Sequence, residues 1–145
     1  YFFRGAAYDD LGQYKRAIED YNQAIKLKPD DINAYKRRGI AYKYLGQYQR
    51  AIEDYNKVIR LKPDDADAYV SRGFANGFLS QYQRAIKDYN EALRLKPDLA
   101  LAYSGRGIAY LFQGNNKLGC RDAQKACALG ECSLLEAAKG EGKCR

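Results

Sequence analysis

Apolar residues in this chain fall in short blocks at helical spacing, and the blocks are cut at regular places. Tyr35, Gly39, Tyr42 and Leu45 recur every three or four residues. They form the apolar and small stripe of a helix predicted over residues 33–45. Gly46 breaks it, because glycine takes the left-handed conformation that ends a helix. Tyr48, Ala51, Ile52, Tyr55, Val58 and Ile59 then make the buried face of a second helix over 48–61. Pro63 stops that helix, since proline cannot continue an interior turn. Asp64, Asp65 and Asp67 follow, where the next helix begins and negative charge and capping oxygens are favoured.

The same wording returns at a fixed distance. LGQYQRAIEDYNKVIRLKPDD at 45–65 is preceded by LGQYKRAIEDYNQAIKLKPDD at 11–31 and followed by LSQYQRAIKDYNEALRLKPDL at 79–99, each 34 residues after the last. One such pair of helices cannot bury both of its faces alone. A period of this length therefore predicts stacked copies of one helix-turn-helix unit. Small Gly39 and Ala51 are expected on facing sides of the pair, with large tyrosines filling the space around them.

Read this way, the chain divides into units at 1–34, 35–68 and 69–102, a degenerate fourth at 103–131, and a cysteine-containing capping segment at 132–145. The third unit departs at Asn76, which replaces the first-helix tyrosine, and at Ser80, which replaces the turn glycine. Gly77 makes its first helix the expected soft spot, by about 1 kcal/mol relative to alanine. In the fourth unit Asn116, Gly119, Ala123 and Glu131 stand where the second has Tyr48, Ala51, Tyr55 and Pro63. Terminal repeats are expected to be atypical because their outer face meets no further copy.

Tyr35, Gly39, Tyr42, Leu45-Gly46, Tyr48, Ala51, Tyr55, Val58 and Pro63 resemble the signature of the tetratricopeptide repeat, in the form met in bacterial proteins. Tyr35 stands for the more usual Trp and Val58 for the more usual Ala. The resemblance covers residues 1 to about 130. It implies an all-α, right-handed superhelical solenoid of helix-turn-helix hairpins with a concave, ligand-facing groove. A second stripe on each first helix is not needed within its hairpin, and in the family this stripe lines the groove. Here it holds Asn33, Lys36, Arg37, Ile40, Lys43 and Tyr44, then Val70, Phe74 and Phe78 with Asp67, Ser71 and Gly77, then Ser104, Ile108 and Leu111 with Leu101, Gly105 and Phe112. The first unit offers Phe2, Ala6 and Asp9. The apolar members suggest a peptide with hydrophobic anchors, whose acidic residues could meet Lys36, Arg37 and Lys43. The plainer alternative is that Ile40, Phe74 and Ile108 pack between adjacent first helices. One subclass of the family grips the C-terminal carboxylate of heat-shock chaperones with Lys, Asn and Arg at set places. Starting from the first unit those places hold Phe2, Ala6, Arg37, Asp67 and Ser71. Starting from the second they hold Lys36, Ile40, Ser71, Leu101 and Gly105. Only Lys36 matches, so the chain is not expected to be a chaperone carboxylate-tail clamp.

Another pattern recurs in all four units. Arg4, Arg38, Arg72 and Arg106 each precede the contact glycine, and Asp20, Asp54, Asp88 and Asp122 each follow 16 residues later. A structural ladder of arginine forks on carboxylates is expected. A functional anion-binding stripe is the alternative.

Charge and composition narrow the function. The net charge is +7, spread as −1, +3, +2 and +3 over residues 1–34, 35–68, 69–102 and 103–145 without a Lys/Arg run. That reads as a solvated surface, with an acidic partner as the alternative. There is no histidine, which removes histidine bases, histidine metal sites and histidine-paired nucleophiles. No phosphate-binding glycine loop is found. The expectation is therefore a non-enzymatic protein-protein interaction scaffold, without cofactor or metal, binding a peptide segment of a partner. Nucleic acid is not expected, and no stretch approaches a membrane span. Tyr1 stands at the place of Tyr35, so the first helix lacks its opening turn, and further repeats or a targeting segment could precede it. Phe2 and Phe3 could then be covered from upstream, or could form an edge for self-assembly into a homo-oligomer.

All four cysteines lie at the end of the chain: Cys120, Cys127, Cys132 and Cys144. Cys120 and Cys127 share a helix face about 10.5 Å apart, too far for a bond that needs Cα atoms within roughly 7 Å. Gly130 should end that helix and 133–139 should fold back, favouring Cys127–Cys132 and Cys120–Cys144. Buried free thiols and a four-thiolate zinc site are the alternatives. Disulfides would place the protein in a periplasm or secreted space, and free thiols in the cytoplasm.

Overall fold

The structure, a computed structural model, describes residues 1–145. It is all-α, with nine helices and no strand. The first compact unit, Tyr1–Ala68, contains α1 (Phe2–Asp10), α2 (Tyr14–Leu27), α3 (Ile32–Tyr44) and α4 (Tyr48–Leu61). The second, Tyr69–Arg145, contains most of α5 (Ala66–Phe78), then α6 (Tyr82–Leu95), α7 (Ala100–Phe112), α8 (Asn116–Ala128) and α9 (Ser133–Gly140).

Local chemistry sets the helix ends. The Asp31 carboxylate accepts a hydrogen bond from the Ala34 N–H at 3.2 Å, which starts α3 at Ile32. Asp65 does the same for Ala68 at 3.0 Å, and Asn115 for Leu118 at 3.2 Å. The even-numbered helices α2, α4 and α6 each stop two residues before a proline. Lys28 and Lys96, the residues just before, are extended there, the conformation that a following proline favours. The tight turns within hairpins use left-handed Gly12, Gly46 and Gly114. Ser80 takes the same role at φ 58°, a conformation less comfortable for a residue with a Cβ.

Within each of the first three hairpins the contact is a ring on a glycine. A Cβ at Gly39 would lie 2.8 Å from the Tyr55 ring, and Cβ atoms at Gly5 and Gly73 would lie 2.9 and 2.8 Å from Tyr21 and Tyr89. The first-helix glycine is thus a seat for the second-helix tyrosine, and not only a partner for Ala51. Tyr21, Tyr55 and Tyr89 are accordingly among the most buried large side chains. In the second unit, Val70, Ala85, Tyr89, Ala92, Leu93 and Ala102 form the core, with Phe74 and Tyr103 packed against it.

The fourth hairpin has no such tyrosine, and its helices approach directly. A Cβ at Gly119 would lie 3.1 Å from the Gly107 carbonyl oxygen. Leu134 of α9 reaches Gly107, and Leu111 covers Gly119. Helix α9 contacts both α7 and α8, as α3 contacts both α1 and α2. Disulfides Cys127–Cys132 and Cys120–Cys144 tie it down, and no cysteine is free.

Two outcomes follow from this packing. Gly39→Ala should lower unfolding free energy by about 1–3 kcal/mol through overpacking. Gly77→Ala, with nothing within 4 Å of its Cβ, should raise it by up to about 1 kcal/mol through helix propensity. Denaturant titration of both variants checks the pair, and equal signs would refute the ring-on-glycine account. Separately, reduction should add four hydrogens to the intact mass and lower stability by about 2–5 kcal/mol.

Candidate functional site

The second unit carries an apolar cleft of about 380 Å³ between the end of α5 and α7, floored by α6. Its depth comes from Gly105, where a Cβ would lie 2.4 Å from Tyr89 Cζ. The Tyr89 ring fills that space from below, and its hydroxyl end lies at the cleft floor. Phe74 meets the same ring edge-on, with centroids 5.6 Å apart. Phe112 stacks flat on Tyr82 at 5.3 Å and forms one wall. Phe78 and Phe112 remain 62% and 69% exposed, unusual for rings that solvent disfavours. No charged residue lines the cleft. It can hold apolar side chains and offers no partner to a carboxylate.

Of the apolar residues singled out in the sequence, Phe74, Phe78 and Ile108 come together here. Val70 does not, because it is 7% exposed within the core. Leu111 turns away toward Leu134, lining a smaller cleft of about 120 Å³ against α9. Ser104 is half-buried and outside the cleft. Gly105 and Phe112, which flank the stripe, also belong to the cleft, and so do Tyr82 and Tyr89 of α6, which were missed as site residues. Phe112 stands one period after Phe78, whereas Tyr82 and Tyr89 lie on the second helix, outside the stripe that spacing picks out.

The basic stripe of the first unit is largely engaged. Lys36 Nζ donates to Asp65 at 2.7 Å. Arg37 lies 3.6 Å from Asp9, whose Oδ2 also accepts from the Tyr21 hydroxyl at 3.4 Å. The other Asp9 oxygen is buried without a partner, and burial pushes the Asp9 carboxyl above the usual range. Lys43 sits 4.8 Å from the Tyr44 ring centre, and Tyr44 stacks on Tyr14 at 4.8 Å. Asn33 is exposed and Ile40 half-buried.

Each recurring arginine grips the aspartate 16 residues on. Arg4 forks Asp20 with two bonds of 2.7 Å, and Arg38 forks Asp54 at 2.8 and 2.6 Å. Arg72 reaches Asp88 at 3.0 and 2.6 Å, and Arg106 reaches Asp122 at 2.7 and 2.8 Å. Arg38 also donates to Asn22, and Arg106 to Asn90, in the preceding hairpin of the same unit. The guanidinium carbons lie 5.5 or 5.6 Å from the ring centres of Tyr1, Tyr35, Tyr69 and Tyr103. Arg4, by its hydrogen bonds, holds the Asp20 carboxyl below the usual range. Asn76 donates to Asp88 at 3.1 Å, which accounts for the loss of tyrosine at that place. No group of three His, Cys, Asp or Glu side chains is arranged to hold a metal. No helix is long and apolar enough to cross a membrane.

Helical hairpins repeated every 34 residues, each of the first three closed by a tyrosine on a glycine, define a class of helical-repeat protein. Family profiles described as tetratricopeptide repeat and TPR repeat match residues 5–76 and 79–114. The chain belongs to the tetratricopeptide-repeat family, whose members are in general non-catalytic protein-protein interaction modules. The structure is similar to a crystal structure of MamA, at 25% identity and TM-score 0.86, over 99% of this chain and 87% of that one. It is similar in fold to a thermophilic TPR protein of Thermus thermophilus, at 22% identity and TM-score 0.82, over 98% and 81% of the two chains. It also resembles the first TPR of Spaghetti (RPAP3) bound to the HSP90 peptide SRMEEVD. That likeness has 26% identity and TM-score 0.75 over 78% and 90% of the chains. Among curated proteins there is no match.

Asp65 supplies a pH test. Burial alone would push its carboxyl up, but the Lys36 ammonium and the Ala68 N–H outweigh burial and hold it below the usual range. A carboxyl lowered on folding stabilises above its unfolded pKa and loses that contribution as pH falls through the folded value. The protein should therefore lose stability on acidification below about pH 4. Asp65→Asn should be less stable at neutral pH and lose less between about pH 5 and 2, as followed by helical circular dichroism. Parallel acid profiles would refute the assignment.

Proposed function

We propose that the protein is a non-catalytic scaffold that binds an extended or helical peptide segment of a partner protein through the stripe on its first helices. The observation that carries this is the apolar cleft with two largely exposed rings, Phe78 and Phe112, around Ile108. A side chain entering it would bury aromatic surface, and such anchors dominate binding energy in peptide recognition. The engaged state of Lys36 on Asp65 argues for apolar anchors over a carboxylate grip. The Spaghetti domain is bound to an HSP90 peptide. We infer that this chain does not share that ligand, since of the clamp places only Lys36 carries the expected residue. Two disulfides favour an oxidising compartment, a periplasm or secreted space.

A peptide-display screen on the folded protein tests the reading. Enriched peptides should share an apolar or aromatic anchor and should lose at least about tenfold in affinity to Phe78→Glu or Ile108→Glu. Lys36→Glu should leave the anchor preference in place. An absence of enriched peptides, together with a dimer in sedimentation, would overturn this reading in favour of self-assembly.

A further inference from the structure

The last hairpin differs from the others at one crevice, lined by none of the residues of the apolar cleft. In the first two hairpins an arginine near the start of the second helix lies across a first-helix tyrosine. Arg16 is 5.7 Å from the Tyr8 ring centre, and Arg50 is 5.7 Å from that of Tyr42. Arg84 holds this place in the third hairpin, where the tyrosine is Asn76. In the fourth hairpin the tyrosine is present as Tyr110, but Leu118 stands where the arginine should be. Leucine is too short to cross the ring. What results is a cleft of about 660 Å³ along Tyr103 and Tyr110 of α7 and the facing side of α8.

The charge at this cleft has also changed sign. Arg121 stands where the first two hairpins carry Glu19 and Glu53, and the third carries Lys87. Lys125, one turn on, lies 6.0 Å from the Tyr103 ring centre. Neither Arg121 nor Lys125 forms an ion pair, whereas Arg106 behind them is forked by Asp122 and bonded to Asn90. Residues four apart on a helix are about 6 Å apart along its axis, so one anion with several oxygens can bridge the two cations. A tyrosine face that elsewhere receives a planar guanidinium suits a planar ring of similar footprint. The volume lies within the range of small-molecule sites.

We propose that this cleft binds a phosphate-bearing planar aromatic molecule of mononucleotide size. The ring lies on Tyr110, and the phosphate is shared by Arg121 and Lys125. This is independent of the peptide reading, because the two clefts share no residue.

The test is calorimetric titration of the disulfide-intact protein with adenosine 5′-monophosphate at low salt, with adenosine and inorganic phosphate as single-group controls. Saturable binding of the monophosphate is expected, at least about tenfold tighter than either control and weakened by added salt. Leu118→Arg restores the side chain found in the other three hairpins and should abolish binding while leaving the helical spectrum unchanged. Arg121→Glu should also abolish it, and decides the matter should Leu118→Arg disturb folding. Phe78→Glu should leave monophosphate binding intact. No saturable binding at millimolar concentration, or binding that survives Arg121→Glu, would overturn the proposal. So would adenosine binding as well as the monophosphate.

Discussion

Everything in the first three hairpins rests on the contact between a buried tyrosine ring and a glycine that makes room for it. Tyr21, Tyr55 and Tyr89 each lie where a Cβ on the facing glycine would come within 3 Å. The ring fixes the separation of the two helices in those hairpins. The arginine fork is a second, separate tie, because Arg106 grips Asp122 as closely in the fourth hairpin, which has no ring. Arg38 and Arg106 also reach back to Asn22 and Asn90. Tyr89 shows the same contact acting outward. Its far end reaches Gly105 in the next hairpin of its unit, and the cleft floor is the surface left above that ring.

The fourth hairpin shows what replaces the contact when the ring is missing. Ala123 cannot span the gap, so the backbones close on each other at Gly107 and Gly119, and Leu134 of α9 fills the rest. Covalent closure supplies what aromatic burial supplies elsewhere. A small terminal element of eight residues has little apolar area of its own, and cross-links chiefly restrict its unfolded freedom.

The array was legible in the sequence because its signal repeats. A period of 34 averages out the ambiguity of any one helix, and the prolines and turn glycines punctuate it. The site was less legible. Position along a first helix identifies the stripe, but not how much of each side chain the neighbouring helix covers. Val70 and Phe74 lie four residues apart on one face, yet one is core and the other forms the cleft rim. Lys36 reads as a free cation in the sequence because its partner lies 29 residues away, across a hairpin, where spacing within a helix gives no hint. Position places Phe112 on the stripe, one period after Phe78, but not against Tyr82 of the second helix. The two rings stack 5.3 Å apart, a contact between helices that spacing within one helix does not show.

Helix α9 has a consequence for how such a chain can change in evolution. Its contacts with α7 and α8 parallel those of α3 with α1 and α2, so it occupies the docking place of a fifth hairpin, and two disulfides hold it there. Tandem duplication lengthens repeat arrays by inserting whole copies. Copies inserted between existing hairpins would find matching surfaces on both sides. A copy placed after Cys120 would separate cysteines that must meet, and would leave a hairpin competing with α9 for one surface. The clasp acts as a genetic boundary as much as a mechanical one, barring growth of the array on the side where α9 is docked.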